Sequence, residues 1–143
     1  MEKNAGKSYW LVKSEPDVFS YDQLVKDGKT RWDGVRNYQA RNNLRAMQVG
    51  DFCLFYHSNI GLEVVGIARV QHAHYPDPTA EKGDWSCVDL EPYKAFKRPV
   101  PLTEIKSNPD LQNIALVRNG RLSVMPLAFD EFSTLLQLGD TQL

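Results

Sequence analysis

Flat aromatic rings beside polar and basic side chains are the part of this sequence best suited to chemistry. Trp32 lies in a polar stretch that continues into Arg36 and Asn37, and large rings in such surroundings often serve as stacking platforms. A position in the core fits Trp32 equally well. Reading a nucleobase requires stacked rings, polar groups for the base edge and basic side chains for phosphates, and the sequence contains all three.

Three further segments bring the same residue types to the ends of predicted strands or into loops. They are Lys13-Ser14, His57-Ser58 and Tyr75-Pro76-Asp77. Binding residues are concentrated on loops and strand ends that a rigid scaffold holds in place. We therefore expect these segments to meet Trp32 at one opening of the fold.

The histidines and cysteines do not form a metal-binding pattern. His72 and His74 are two residues apart, which places them on one face of a strand, but no third ligand completes a set. Cys53 and Cys87 are too few for a disulfide framework or a four-cysteine zinc site. The sequence therefore predicts no metal and no other cofactor.

Nucleophilic catalysis is the second chemistry to consider, and its residues would be His57, Ser58 and Asp77, with Asp51 as the other choice for the third member. No serine lies in a nucleophile-elbow sequence, and no glycines have the spacing of a phosphate-binding loop. We predict no catalytic residue. An enzyme that acts on nucleotides or modified RNA through these three residues is the alternative. A protein-interaction module with an apolar patch on the closing helix is the second alternative.

The composition restricts the class of protein. A chain of 143 residues and 16.3 kDa makes one domain, and 42% hydrophobic with 24% charged residues is globular usage. Seventeen Lys+Arg against eighteen Asp+Glu give a net charge of −1, so no overall basic excess points to nucleic acid. No apolar run is long enough for a membrane span. We expect a soluble monomer without membrane partners, in a bacterial cytoplasm or a eukaryotic nucleus.

The basic residues are unevenly distributed along the chain. Residues 1–46 carry a net charge of +3, and residues 94–121 carry a net charge of +4. We expect the two stretches to form one basic face after folding. Its candidate members are Arg36, Arg41, Arg45, Lys94, Lys97 and Arg98.

Hydrophobic patterns predict an α+β domain with flanking helices. Aromatic and β-branched runs predict five strands, at 9–13, 52–57, 62–71, 85–90 and 121–125. Ser20 and Asn37 are typical helix N-caps, and the helix over 38–48 places Arg41 and Arg45 on one face. Pro126 suits the first turn of a closing helix. Strands joined mostly by short turns favour a barrel-like arrangement.

Two longer segments resemble the signatures of the EVE domain. Residues 9–16, Tyr-Trp-Leu-Val-Lys-Ser-Glu-Pro, resemble its opening, and residues 32–44, which begin Trp-Asp-Gly-Val-Arg-Asn-Tyr, resemble its second signature. Phe55-Tyr56-His57-Ser58 and the segment 75–79 follow in the family's order. The resemblance covers residues 9 to about 138.

The resemblance implies a PUA-like fold related to YTH domains. This fold is an α+β mixed β-barrel of five to six strands with flanking helices. The domain would cover residues 9–139, after a disordered N-terminal segment over residues 1–8. The implied function is binding of a modified nucleobase in single-stranded or flipped-out form, without catalysis. C5-modified cytosine in DNA and a modified base in RNA are the implied ligands.

The resemblance also assigns residues to the pocket by position. The residues expected around the base are Ser14, Trp32, Asn37, Tyr56, His57, Ser58, Tyr75 and Asp77. Trp32 would stack on the base, Tyr75 or Tyr56 would form a second wall, and Asp77 would accept from an exocyclic amine. The residues expected at phosphates are Lys13, Arg36, Arg41 and Arg45.

Overall fold

One mixed sheet of six strands organises the fold, seen in a computed structural model that describes residues 7–143. The strands are β1 (Tyr9–Ser14), β2 (Thr30–Trp32), β3 (Phe52–His57), β4 (Glu63–Pro76), β5 (Ser86–Pro101) and β6 (Val124–Leu127). The helices are α1 (Tyr21–Asp27), α2 (Tyr38–Ala46), α3 (Leu102–Ser107), α4 (Ala115–Arg118) and α5 (Phe129–Leu138). A short 3-10 helix covers Pro109–Leu111.

The order of the strands is β2-β5-β4-β3-β1-β6. β1 runs parallel to β3, and the remaining neighbours are antiparallel. The predicted α+β class and strand number are confirmed. Within residues 7–143 the edge strands β2 and β6 do not pair with each other, so the sheet does not close into a full barrel.

β5 is longer than the sequence pattern predicts. It runs from Ser86 to Pro101, whereas the sequence predicts a strand over residues 85–90. Pro92 pairs with Ala68 beside a shift in the β4–β5 register. A proline is tolerated at such an irregularity because the regular ladder of hydrogen bonds is already broken there.

Asp51 joins the N-terminal strand to the turn before β3. Its fully buried carboxylate accepts hydrogen bonds from the backbone of Ser8 at 3.1 Å, from Trp10 Nε1 at 3.0 Å and from the backbone of Gln48 at 2.9 Å. These bonds hold β1 beside β3. The end of β1, at Ser14, therefore has a fixed position in the sheet.

The helix caps follow the sequence. Ser20 Oγ accepts from the backbone N–H of Gln23 at 3.0 Å, and α1 ends at Gly28 with φ of 77°. Asn37 Oδ1 accepts from the backbone N–H of Ala40 at 2.9 Å. Both predicted N-caps are confirmed, and Asn37 thereby fixes the chain where it passes from β2 into α2.

The predicted disordered segment, residues 1–8, lies outside the described residues except for Lys7 and Ser8. Lys7 Nζ donates to the carbonyl of Val49 at 3.3 Å, and Ser8 donates to Asp51. In residues 7–143, no helix has the length and apolar character needed to cross a membrane.

Candidate nucleic-acid interface

A cavity of about 680 Å³ lies between the end of β1, β2 and the loop 33–37. Its apolar wall contains Phe19, Trp32 and Val35. Polar and basic side chains line the remainder, including Lys13, Ser14, Arg36, Asn37 and Ser123. The volume falls within the range of small-molecule sites, about 300–1,000 Å³. Five residues of the predicted site thus meet here: Lys13, Ser14, Trp32, Arg36 and Asn37.

Trp32 forms part of the cavity wall from a position that lies mostly in the core. The residue is 9% exposed. Its ring meets Phe55 edge-on at 5.5 Å and Phe19 at 6.3 Å between ring centroids. Trp32 therefore belongs to the core and also contributes to the lining of the cavity. Truncating it to alanine would destabilise the fold, since removal of a buried tryptophan side chain costs about 3–5 kcal/mol.

Asp77 organises the loop beside the cavity and does not line it. Its buried Oδ2 accepts from the Gly34 N–H at 2.8 Å and from Arg36 Nη1 at 3.0 Å, while Oδ1 accepts from the N–H and hydroxyl of Thr79 at 2.8 and 2.7 Å. Burial raises the pKa of this carboxyl, but the bonds from Thr79, Gly34 and Arg36 outweigh it and lower the pKa to about 2. Both carboxylate oxygens of Asp77 already accept hydrogen bonds within the protein. Asp77 therefore positions the loop and does not accept from an amine of the base, contrary to the prediction from the sequence.

Arg36 stands at the rim of the cavity with both ends of its guanidinium in use. Nη1 donates to Asp77 and to the carbonyl of Val35 at 2.9 Å, and Nη2 donates to Thr79 Oγ1 at 3.1 Å. The side chain remains 38% exposed. The guanidinium is therefore held still while its outer edge stays accessible to an anion.

Three polar side chains in the cavity retain hydrogen-bonding capacity. Ser14 Oγ donates to the carbonyl of Phe19 at 2.6 Å and keeps its lone pairs. The helix cap uses only the Oδ1 atom of Asn37. Its amide nitrogen makes no hydrogen bond within residues 7–143. Lys13 Nζ donates to the carbonyl of Gly120 at 2.8 Å, and burial lowers the pKa of Lys13.

His57 and Ser58 support the frame of the site and do not line the cavity. His57 Nε2 accepts from the backbone N–H of Tyr21 at 3.1 Å, at the start of α1. Burial lowers the pKa of His57, which favours the neutral ring that this acceptor role requires. Ser58 donates its backbone N–H to the carbonyl of Ser14 at 2.9 Å.

Tyr56 and Tyr75 do not line the cavity, so neither forms the predicted second wall. Tyr56 is 2% exposed and points to the strand face opposite Phe55. The hydroxyl of Tyr75 donates to Asp89 at 2.5 Å, outside the cavity. Phe19 takes the place of the second aromatic wall.

A pair of stacked rings, of which Tyr38 is exposed and Trp85 half-buried, lies beside the cavity. The rings of Tyr38 and Trp85 are 5.0 Å apart and inclined by 20°, and Tyr38 is 67% exposed. The Arg41 guanidinium is 5.1 Å from the Tyr38 ring and 5.7 Å from the Trp85 ring, and that of Arg36 is 5.7 Å from Trp85. We call Tyr38, Trp85 and Arg41 the Tyr38–Trp85 platform. Arg36 connects it to the rim of the cavity.

Asp84 neutralises part of the charge next to this platform. Arg45 Nη2 lies 2.7 Å from Asp84 Oδ1, and Arg41 Nη1 donates to the carbonyl of Asp84 at 3.0 Å. The hydrogen bond from Arg45 lowers the pKa of Asp84. Arg45 also donates to Ser86 Oγ at 2.9 Å. Arg45 therefore acts mainly as a clamp on this loop.

Two residues of the second basic stretch, Lys94 and Arg98, lie away from the cavity. Lys94 Nζ donates to the carbonyl of Gln142 at 2.6 Å, and Arg98 pairs with Glu104 at 2.7 Å. Arg45 contacts Ser86, the first residue of β5, whereas Lys94 and Arg98 lie in the second half of that strand. Lys94 and Arg98 therefore do not share a face with Arg45, contrary to the expectation.

Residues 8–138, nearly the whole chain, match the EVE domain family. The chain belongs to this family. A protein of Agrobacterium tumefaciens with a known crystal structure is 44% identical and superposes with a TM-score of 0.91 over 94% of both chains. The human THYN1 protein, crystallised with DNA that contains 5-methylcytosine, is 36% identical with a TM-score of 0.86, and the match covers 96% of this chain and 100% of that one.

A more distant neighbour shares the fold of this EVE domain. The YTH domain of the Zygosaccharomyces rouxii MRB1 protein, in complex with N6-methyladenosine RNA, superposes with a TM-score of 0.63 at 15% identity. The match covers 100% of this chain and 92% of the YTH chain. The predicted likeness of fold to YTH domains is confirmed.

The EVE domain does not bring the residues of the enzyme alternative together. His57 is engaged by the backbone of Tyr21, Asp77 is engaged by its own loop, and no hydrogen bond joins either of them to Ser58 in residues 7–143. Within the same range, no three His, Cys, Asp or Glu residues are grouped to hold a metal. Burial raises the pKa of the Cys53 thiol, which makes it a poor nucleophile.

The second alternative, a protein-interaction module, needed an apolar patch on the closing helix. The most exposed large apolar side chains of the described residues include Val18, Val25, Tyr38, Ile60 and Tyr93, and none lies on α5. Within residues 7–143, α5 therefore carries no strongly exposed large apolar side chain.

The EVE domain also contains site residues that the sequence analysis missed. Phe19 immediately precedes the N-cap Ser20, where an apolar residue more often packs against its own helix. Ser123 reaches the cavity from the segment before β6, far along the chain. Tyr38 and Trp85 are 47 positions apart in sequence, and no local pattern predicts their stacking.

Proposed function

We propose that this EVE domain binds one modified nucleobase of a nucleic acid in the cavity beside Trp32. The observation that carries the proposal is the cavity of about 680 Å³, in which aromatic walls, an uncommitted amide on Asn37 and cations at the rim occur together. Base recognition needs these three features. The crystal structure of the human THYN1 protein with DNA that contains 5-methylcytosine supports the proposal from a relative.

The base enters the cavity in single-stranded or flipped-out form. Trp32 is recessed and 9% exposed, so a base that remains in a duplex stack cannot reach it. Phe19 and Trp32 contact the base, and Asn37 Nδ2 donates to an acceptor on its edge. Lys13 and Arg36, at the rim, meet the phosphates on either side.

The ligand that we propose is a C5-modified cytosine in DNA, with a modified base in RNA as the alternative. A methyl group at C5 adds apolar surface that can pack against Phe19, Trp32 and Val35, which line the cavity. Burial of one such group is worth about 0.8 kcal/mol. A preference of roughly fourfold over unmodified cytosine follows from this single contact.

The proposal is tested by the affinity of short fluorescent single strands that carry either cytosine or 5-methylcytosine at one central position. The wild-type domain should bind the modified strand about fourfold more tightly or better. Asn37→Asp keeps the cap oxygen but removes the amide donor, and it should weaken binding at least about tenfold. Equal affinity for the two strands would overturn the proposal.

Asn108 offers a matched control for this experiment. Its Oδ1 caps the short 3-10 helix by accepting from the backbone of Asp110 at 2.8 Å, and it does not line the cavity. Asn108→Asp adds the same charge as Asn37→Asp and should leave the affinity unchanged. A similar loss in both variants would show that the charge alone lowers affinity and would remove Asn37 from the site.

We also propose that the domain binds without catalysis. His57 holds the first turn of α1 by accepting from Tyr21 and is not aimed into the cavity. Purified protein incubated with single nucleotides or modified RNA should return them unchanged. Turnover that is abolished in the His57→Ala variant would establish the enzyme instead.

A further inference from the structure

Contacts of Trp85 fix the position of the Tyr38–Trp85 platform, although neither ring lines the cavity. Trp85 packs on Gly83, where an added Cβ would lie 2.7 Å from the Trp85 Nε1 atom and φ is +93°. The carbonyl of Trp85 accepts from the backbone N–H of Asp77 at 3.0 Å. The same residue, Asp77, holds Arg36 and Gly34 beside the cavity. Asp77 thus links the segment that contains Trp85 to the loop 33–37 of the cavity.

The outer face of the Tyr38 ring is open. The Arg41 guanidinium lies 5.1 Å from the centre of Tyr38 and 5.7 Å from that of Trp85, and the two rings are 5.0 Å apart. Because the three distances are similar, the guanidinium and the two ring centres lie at the corners of a triangle. Arg41 therefore lies at the side of the stack and not over the far face of Tyr38. The 67% exposure of Tyr38 agrees with a free outer face.

We propose that this face of Tyr38 stacks against the base of the nucleotide next in the strand to the one in the cavity. The inference rests on the proposed function. The platform is continuous with the cavity through consecutive residues, since Arg36 and Asn37 line the cavity and Tyr38 follows them. Arg36 and Arg41 each lie 5.7 Å from the centre of the Trp85 ring and supply positive charge for the linking phosphate.

Stacking on Tyr38 does not depend on the identity of the neighbouring base. Every base has a flat face, and a single base–aromatic stack in single-strand binding proteins changes affinity by about five- to a hundredfold. The cavity therefore selects the modified base, while the platform adds affinity and fixes the direction of the strand across the domain.

The test uses three fluorescent single strands with 5-methylcytosine at the same central position. One strand has all its bases, and the other two lack the base at the position immediately before or immediately after the 5-methylcytosine. Wild-type domain should lose roughly tenfold in affinity on one of the two abasic strands. Tyr38→Ala should lose the same factor on the complete strand and lose nothing further on that abasic strand, because both changes remove one contact.

Two variants control for loss of the tyrosine hydroxyl and for loss of an exposed ring elsewhere on the domain. Tyr38→Phe keeps the ring and should bind as the wild type does. Tyr93 is also exposed, with Arg69 5.2 Å from its ring, but it contacts Phe52 and not the cavity. Tyr93→Ala should therefore leave all three affinities unchanged.

Several outcomes would overturn the inference. An equal loss in Tyr38→Ala on the complete strand and on both abasic strands would mean that Tyr38 acts without a neighbouring base. No loss on any strand would mean that the platform serves another ligand, such as a protein.

The ratio of affinities for 5-methylcytosine and cytosine separates this inference from the proposed function. Tyr38→Ala should keep that ratio. If the ratio is one but Tyr38→Ala still loses affinity as expected, only the selection of a modified base is overturned. A preserved ratio without a Tyr38 effect would overturn only the platform. Absence of binding to every strand would overturn both.

Discussion

Asn37 uses the two ends of one amide for two purposes. Its Oδ1 caps α2 through Ala40, and its Nδ2 has no partner within residues 7–143 and belongs to a residue that lines the cavity. Stability and binding can therefore be separated at this position. A carboxylate can replace the cap oxygen but cannot donate a hydrogen bond at neutral pH.

The first prediction compares two substitutions of Asn37 by urea-induced unfolding. Asn37→Ala should lower the free energy of unfolding by about 1 kcal/mol because the cap is lost. Asn37→Asp should leave it near the wild-type value, because aspartate caps helices as well as asparagine does. A similar loss of stability in both variants would mean that the amide nitrogen also supports the fold.

The second prediction concerns Asp77 and acid. Its pKa is lowered from 3.8 to about 2 in the folded protein, so the ionised form is the one that stabilises the fold. This contribution is fully present above pH 3.8 and is lost as the pH falls toward 2. Its size is about 2 kcal/mol, at 1.36 kcal/mol per pKa unit.

Asp77→Asn removes this titration. The difference in unfolding free energy between the wild type and the variant, measured by urea unfolding from pH 5 down to pH 2, should shrink steadily below pH 4. Parallel curves across this range would show that Asp77 does not hold the loop in its ionised form.

At the scale of elements, the position of α1 depends on a close approach to β4. Gly66 lies on β4, and an added Cβ there would come within 2.5 Å of the Tyr21 ring. The Tyr21 hydroxyl donates to the carbonyl of Ile67 at 2.7 Å, which fixes the ring against the strand. Phe19, a wall of the cavity, precedes this helix, so the contact between Gly66 and Tyr21 also positions the site.

The third prediction is that Gly66→Ala lowers the melting temperature markedly. The clash with Tyr21 is an overpacking defect, which costs about 1–3 kcal/mol or more. Gly120 gives a matched control, because an added Cβ there meets nothing within 4 Å. Gly120→Ala should leave the melting temperature near the wild-type value, and equal effects of the two substitutions would contradict the close packing at Gly66.

Elements with strong local signals could be predicted from the sequence. Ser20 and Asn37 form the predicted caps. The length of β5 could not be predicted, since the register shift that accommodates Pro92 arises from pairing with β4. Local patterns describe caps and turns, whereas strand length depends on the partner.

At the scale of the whole molecule, the site could be predicted only in part. Trp32 and Asn37 lie in a continuous signature and line the cavity together. His57 and Asp77 have residue types that suit base recognition, but the fold uses them to hold α1 and the loop. Sequence shows which side chains are available, and only tertiary contacts show which of them already have partners.

Charge also acts at the scale of the whole molecule. The net charge is −1, so affinity for nucleic acid depends on the few cations near the cavity. Lys13 and Arg36 line the cavity, and Arg41 lies beside the platform, whereas Arg45 is paired with Asp84. Three phosphate contacts give a slope of log affinity against log salt of about −2 for a single strand.

The central claim is tested most directly by the affinities of 5-methylcytosine and cytosine single strands over a series of salt concentrations. Both affinities should fall with a slope of about −2, because phosphate contacts position the strand. Their ratio should stay at about fourfold or more at every salt concentration, because the methyl group is read by apolar contact. A ratio of one throughout, or affinities that do not respond to salt, would contradict a domain that holds a modified base of a nucleic-acid strand in this cavity.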